Sequence, residues 1–302
     1  MRSFSFRPSR GVSAGIALLL LAANVAVGFA ADTGELSTNR LWQKIVMVGA
    51  SASAGFTVSE PFGGTNTLRL RLSRYVDAAV VAPREPVLNL AHAMFFLQPE
   101  LTGRTQMTRA LKEQPSLLLG VDFLFWFCYG KGTNDNDRLL RFEEGLKLLE
   151  PVTCPLVLGD IPDASAAVNI MLRPDQIPST NAMAAANARL NSWAAPRSNV
   201  CLVPLSQFIR AASRNESITV HGLTLPAGKT RMLLQADNLH PSPSGTAAIA
   251  LAVLGELRVK QRFPESDVRW DLAVLVNAVR DSLRSTPNPS PQPAGQPEAV
   301  AR

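Results

Sequence analysis

The chain contains few of the side chains that metal sites and disulfide frameworks require. Its 302 residues include only three cysteines and three histidines. Cys128, Cys154 and Cys201 form no CxxC pair and show no Cys/His spacing typical of a metal site. An odd number of cysteines also excludes complete pairing within one chain. We therefore expect no bound metal, and we expect the cysteines to be small buried hydrophobic residues.

The sequence also lacks the basic clusters with interleaved aromatic residues that are typical of nucleic-acid-binding proteins. The formal net charge is +6. The first thirty residues carry three arginines and no other charge, so their removal lowers the net charge by three, to +3. An excess this small argues against a nucleic-acid partner.

The first thirty residues have the layout of a secretory signal. A segment with three arginines, "MRSFSFRPSR", precedes the uncharged apolar run "GVSAGIALLLLAANVAVGFA", and small residues follow at Ala30 and Ala31. We expect cleavage near Ala30 and a periplasmic or secreted protein. The apolar run is also long enough for the alternative, an uncleaved membrane anchor.

The remaining chain divides into one domain and a tail. Residues 285–302 are crowded with proline, serine, glycine and glutamine, a composition that cannot bury enough apolar surface to fold. We expect a disordered Pro-rich tail there, and a single α/β domain over residues 31–284.

Five short apolar runs within that domain predict buried strands. They are continuous rather than alternating, which is typical of parallel strands that helices cover on both faces. Helix-like segments at 65–80, 136–150, 181–194 and 266–284 accompany them, and a short β-rich excursion precedes the last two helices. The sequence therefore predicts an α/β fold, a three-layer α/β/α sandwich around a doubly wound, mostly parallel five-stranded sheet. The runs are "KIVMVG" (44–49), "PVLNLA" (86–91), "LLLGVDFLFWFCY" (117–129), "PLVLGD" (155–160) and "NVCLVPL" (199–205).

Two serines follow the first predicted strand, in the small-residue stretch "GASASAGF" (49–56). Ligands of doubly wound sheets bind outside the carboxyl ends of the strands. Ser51 stands at that edge and is our candidate nucleophile. Ser53, two residues further along, is the rival candidate.

A carboxylate and an imidazole stand close together in "DNLHPSPSG" (237–245). Asp237 and His240 are three residues apart, directly before a helix that Ser242 can cap. An acid in this position fixes the imidazole tautomer, and the imidazole can then take a proton from a serine hydroxyl. The sequence therefore predicts a Ser51–His240–Asp237 triad.

These two stretches resemble the first and last motifs of the GDSL or SGNH hydrolase superfamily. "GASASAG" is similar to GDSxxxG, with Ser51 at the nucleophile position, and "DNLHP" is similar to DxxHP. The resemblance implies a flavodoxin-like sheet order and covers residues 44–258. Ala50 stands where the family usually has an aspartate, and "NLAHAM" (89–94) lacks the glycine of the second motif.

The family's third motif, GxND, implies a side-chain donor for the oxyanion. It matches "GTND" (132–135), which assigns this role to Asn134; if Gly130 occupies the glycine position instead, Asn134 is displaced from the site. The resemblance also implies oxyanion donors in the backbone N–H groups of Ser51 and of residues 91–94.

The resemblance implies an exported serine hydrolase that cleaves a carboxylic ester through an acyl-enzyme. Such an enzyme needs no metal or organic cofactor, and its substrate is a small-molecule or polysaccharide ester. Two alternatives remain open: an inactive or weakly active envelope protein that binds a ligand, and an acyltransferase that uses the same triad. Membrane association is expected only through an uncleaved signal anchor.

Overall fold

A computed structural model describes residues 40–132, 134–220 and 223–284. The predicted signal (1–30) and tail (285–302) therefore lie outside the described residues. The centre of the described part is a five-stranded sheet with the order β2-β1-β3-β4-β5, in which all neighbours are parallel. The predicted sheet is thus confirmed. Its strands are β1 (Ile45–Met47), β2 (Leu88–Asn89), β3 (Leu117–Gly120), β4 (Leu156–Gly159) and β5 (Val200–Val203).

Helices connect the strands and cover both faces of the sheet. A separate antiparallel pair, β6 (Ile218–Val220) and β7 (Leu223–Leu225), forms the predicted β-rich excursion. The α-helices of the described ranges are α1 (Ser51–Ala54), α2 (Thr65–Leu70), α3 (Leu72–Ala79), α4 (Pro99–Lys112), α5 (Phe125–Cys128), α6 (Asp135–Leu149), α7 (Thr180–Ala194), α8 (Leu205–Arg214), α9 (Pro243–Gln261) and α10 (Leu272–Arg284).

The continuous apolar runs of β1, β3 and β4 exist because these strands are buried on both faces. In β1, Ile45 and Met47 belong to a core formed with α3, α8, α9 and α10. Val46 and Val48 point the other way, into a core formed with α4, α6 and α7. Since successive side chains of a strand alternate between faces, neither face of β1 can be polar.

The longest apolar run does not form one strand, contrary to the prediction for residues 117–129. Strand β3 ends at Gly120, and the chain then turns into the short helix α5. The aromatic residues after the turn enter the second core, where Phe123 and Phe127 pack edge-on against Phe95. Apolar composition alone does not distinguish such a turn from a longer strand.

Other boundaries differ in smaller ways. The helix predicted over 65–80 is two helices, because Arg71 has an extended backbone that separates α2 from α3. Helices α4 and α8 have no counterpart among the predicted elements. The buried face of α4 includes the small residues Gly103 and Ala110 and the polar Gln106, so its sequence shows no clear apolar stripe.

Within the described residues, none of the helices has the length and apolar character needed to cross a bilayer. Cys128, Cys154 and Cys201 are free thiols, and the first and last of them are buried. Burial raises the pKa of the Cys128 thiol to about 12, which keeps it protonated and inert at neutral pH.

Candidate active site

Ser51 is the first residue of α1 and follows β1 at the carboxyl edge of the sheet. The chain reaches this position through a sharp turn at Gly49, whose φ of 147° favours glycine. A Cβ on Gly49 would also lie only 2.2 Å from Asp122 Oδ1. Close packing under the turn therefore requires glycine at position 49.

The three residues of the predicted triad meet at this edge. His240 Nε2 lies 2.9 Å from Ser51 Oγ, and His240 Nδ1 lies 2.7 Å from Asp237 Oδ2. Both distances are normal for hydrogen bonds. The structure thus places the hydroxyl, imidazole and carboxylate in one chain of contacts, although Ser51 and His240 are 189 residues apart.

The Asp237 carboxylate is buried but well supplied with donors. Its Oδ1 accepts the backbone N–H groups of Leu239 and His240, each at 3.0 Å. Burial disfavours the charged carboxylate, but the hydrogen bonds and the charge of His240 outweigh burial and lower the pKa of Asp237. Asp237 therefore stays ionised at neutral pH and can stabilise an imidazolium.

The loop that carries His240 is fixed to the segment after α1. The Gln235 side chain donates to Phe56 O at 2.8 Å and to Pro241 O at 3.0 Å, which joins the two segments. The Phe56 ring lies against the imidazole, with 4.5 Å between ring centroids. Ser242 caps α9 through Gly245 N–H, as the sequence predicts, so the helix starts directly behind the imidazole.

Asp122, which sequence reasoning missed, holds the turn that presents Ser51. Its Oδ1 accepts from Ala50 N–H at 3.0 Å and from Ser53 Oγ at 2.6 Å. Its Oδ2 accepts from Ala52 N–H at 2.8 Å and from Ser53 N–H at 3.1 Å. The signal in the sequence is a single acid inside the apolar run "LLLGVDFLFWFC".

These contacts leave one N–H group of the turn available. Gly49 N–H donates to the Gln106 side chain, and Asp122 accepts from residues 50, 52 and 53. Ser51 N–H has no acceptor among the described residues. It is therefore the donor of this turn that can bind an oxygen atom of a ligand.

Ser53, the rival nucleophile, has no access to a substrate. Its side chain is fully buried, and its hydroxyl donates to Asp122. It contributes to the turn and is not presented at the edge of the sheet. The geometry therefore favours Ser51 over Ser53.

Asn134 lies elsewhere, and this corrects its predicted place in the oxyanion hole. It caps the N-terminus of α6, where its side chain accepts from Asp137 N–H at 3.0 Å. It lines a cavity with Arg138 and Asp175, and not the cavity that contains Ser51. The turn after β3 brings Asp122, and not Asn134, to the segment that carries Ser51. The reason is that β3 ends earlier than the apolar run suggests.

The loop after β2 offers fewer N–H groups than the resemblance implies. Ala91 N–H donates to the Asn89 side chain at 2.9 Å, and His92 N–H donates to Gly49 O at 3.1 Å. The Asn89 amide in turn donates to Ser53 O and to Ser73 Oγ, each at 3.2 Å. Asn89 thus anchors the nucleophile turn from the side of β2.

No group of three or more metal-ligating side chains occurs in the parts of the chain that the structure describes. No protein-family model and no curated protein sequence matches the chain significantly.

The chain is similar to several solved structures. TesA is 18% identical with a TM-score of 0.43, and the match covers 72% of this chain and 99% of TesA. A proposed GDSL-like lipase from Parabacteroides merdae is 12% identical with a TM-score of 0.46, over 72% of this chain and 98% of that one. A catalytic mutant of Axe2, an acetylxylan esterase from Geobacillus stearothermophilus, is 14% identical with a TM-score of 0.40, over 75% of this chain and 96% of that one.

Proposed function

We propose that the chain is a serine hydrolase of the SGNH type that cleaves carboxylic esters. One observation carries the proposal: Ser51 Oγ, both ring nitrogens of His240 and the Asp237 carboxylate form a continuous line of hydrogen bonds. A serine hydroxyl is a poor nucleophile unless a base is within hydrogen-bond distance, and this arrangement supplies one.

In the first half of the reaction, His240 Nε2 takes the proton of Ser51, and Oγ bonds to the carbonyl carbon of the ester. Ser51 N–H lies beside this position and donates to the oxyanion that forms. The intermediate then collapses, the bond to the alcohol oxygen breaks, and the alcohol leaves with the proton from His240. Ser51 now carries the acyl group.

The second half repeats these steps with water. His240 takes a proton from water, and the hydroxyl oxygen bonds to the acyl carbon. The bond to Ser51 Oγ then breaks, and Oγ recovers its proton from His240. Asp237 holds the imidazole with Nδ1–H directed at the carboxylate and stabilises the positive ring in both halves.

Hydrolysis of p-nitrophenyl acetate by the purified chain tests the proposal. We expect turnover that continues after one equivalent of p-nitrophenol is released. If the folded protein releases no p-nitrophenol from esters of several acyl lengths, the ligand-binding alternative is favoured. An increase in alcoholysis product on addition of a simple alcohol would favour the acyltransferase.

Asp122 is a positioning residue in this account, because both of its carboxylate oxygens accept hydrogen bonds from the turn that carries Ser51. Asp122→Asn would replace one acceptor oxygen by an NH2 group that faces N–H donors. The turn would shift, and a displacement of about 1 Å at the reacting atoms costs about 10²-fold. We expect kcat to fall by about this factor while KM changes little.

Asp160→Asn is the matched control for this substitution. Asp160 follows the neighbouring strand β4 and accepts from Ser206 N–H and Ser206 Oγ, the same kinds of donor that Asp122 binds. We expect a similar loss of thermal stability in both variants but a loss of kcat only in Asp122→Asn. An equal fall of kcat in the two variants would contradict a positioning role specific to Asp122.

We also propose that residues 1–30 direct export, since they combine a basic segment, an apolar run and small residues. Expression of the full chain in a bacterium, followed by fractionation, tests this. We expect a periplasmic or secreted product whose mass corresponds to cleavage near Ala30. A product of full mass in the membrane fraction would indicate the uncleaved anchor, and a product confined to the cytoplasm would contradict export.

A further inference from the structure

A cavity of about 70 Å³ opens beside Ser51 and His240. It extends along the carboxyl edges of β3, β4 and β5 and under the loop that carries His240. Apart from Ser51, His240 and Asp122, the described side chains that line it are apolar. The residues that shape it include Phe125, Pro162, Leu205, Phe208, Leu239 and Ile249.

The lining excludes a polar ligand from this space. A sugar hydroxyl placed among these side chains would lose its hydrogen bonds to water and gain none in return. An aliphatic group, in contrast, is stabilised by leaving water for such a surface. The cavity therefore fits a hydrocarbon group attached to the ester.

We propose that this cavity binds the acyl chain of the substrate and that its volume sets a preference for butanoyl esters. The inference rests on the proposed function of Ser51. The acyl group stays bonded to Ser51 Oγ through both halves of the reaction, whereas the alcohol leaves after the first half. A walled cavity at Ser51 is suited to the group that stays.

The volume of the cavity sets the length of the acyl chain that fits it. A dry cavity of about 150 Å³ holds benzene, which has six carbons, so a cavity half that size holds about three. A butanoyl group places three carbons beyond its carbonyl, and an acetyl group places one. The acetyl groups of acetylated polysaccharides would leave most of the space unfilled.

The preference for butanoate over acetate esters can be calculated from the number of CH2 groups that enter the cavity. Each buried CH2 group contributes about a fourfold gain in binding. The two CH2 groups that distinguish butanoate from acetate give about a 15-fold higher kcat/KM. Octanoate should gain nothing beyond butanoate, because its additional carbons extend out of the cavity.

Initial rates with p-nitrophenyl acetate, butanoate and octanoate test the proposal, together with a variant that reduces the cavity. Ile249 lies on α9 and faces the cavity, and we expect Ile249→Phe to lower the ratio of butanoate to acetate activity several-fold. Val259→Phe is the matched control. Val259 lies on the same helix, is 66% exposed and does not line the cavity. We expect this control to leave the ratio unchanged.

A chain that cleaves acetate without preferring butanoate, or whose activity keeps rising to octanoate, would overturn the length assignment while the proposed hydrolase stands. A second set of substrates consists of acetate esters with alcohols of increasing length. Rates that rise with alcohol length and not with acyl length would place the alcohol in the cavity and overturn the acyl assignment. If Ile249→Phe does not fold, Ile209→Phe on α8 is the second variant, because Ile209 lines the same cavity.

If the chain cleaves no ester and the proposed function fails, a binding measurement still tests whether the cavity accepts an acyl chain. Calorimetry then measures the affinity of the chain for butanoate and for acetate. Tighter binding of butanoate that is lost in Ile249→Phe would support the cavity, and equal binding of the two acids would overturn it.

Discussion

Ser51→Ala is expected to abolish ester hydrolysis, with a loss of about 10⁶ in kcat. In the proposed mechanism the variant removes the atom that bonds to the acyl carbon, and it leaves His240 with no hydroxyl to deprotonate. Among the described residues, the Ser51 side chain makes no hydrogen bond other than that to His240, so the fold has little to lose. Initial rates with p-nitrophenyl butanoate, and a thermal unfolding curve, measure the two effects separately.

Ser206→Ala is the control, because Ser206 also follows a strand at the carboxyl edge of the sheet and donates to a half-buried aspartate, Asp160. We expect full activity from it. Substantial activity in Ser51→Ala, with the protein folded and free of wild-type contamination, would show that another group attacks the ester.

Asp237→Asn is expected to lower kcat by about 10⁴ through the wrong imidazole tautomer. The remaining carbonyl oxygen can still accept from Leu239 and His240 N–H groups, so the loop keeps its shape. The new NH2 group would face Nδ1 and donate to it, which leaves the ring proton on Nε2. A protonated Nε2 cannot accept the proton of Ser51.

The effect of this substitution is specific to catalysis. We expect kcat to fall while KM and the free energy of unfolding change little. Asp163→Asn serves as the control, because Asp163 is exposed and, among the residues that the structure describes, accepts only from the nearby Ser165 N–H. Equal rates for Asp237→Asn and the wild type would remove Asp237 from the mechanism.

The sequence predicts the sheet well because strands that are buried on both faces need continuous runs of apolar residues. Four of the five apolar runs coincide with strands, and the strand order follows from the family resemblance. The N-terminus of α9 is equally clear, since Ser242 and Pro243 are suited to the cap and first turn of a helix. Both features depend on residue types within a few positions of each other.

The meeting of Ser51, His240 and Asp237 could be predicted for a similar reason. Asp237 and His240 are local to one loop, and their spacing alone suggests a hydrogen bond. Ser51 required the fold as well, because only the parallel sheet brings the end of β1 to the loop before α9. Its catalytic role stays a prediction that the observed geometry supports.

The support of the turn that carries Ser51 could not be predicted, because it depends on where β3 ends. The apolar run continues to Tyr129, but the chain turns after Gly120 and places Asp122 under the nucleophile turn. Asn134, chosen by the resemblance, is needed as the cap of α6. Asp122 holds this turn through hydrogen bonds to Ala50, Ala52 and Ser53, which no local pattern of the sequence reveals.

Covalent labelling of the wild-type chain with a fluorophosphonate, followed by mass spectrometry of its peptides, tests the reactivity of Ser51 most directly. The account predicts one adduct, on Ser51, which forms rapidly in the wild type and about 10⁴-fold more slowly in Asp237→Asn, as expected for kcat. An adduct on Ser53 or on another residue, or no adduct on folded protein, would contradict it.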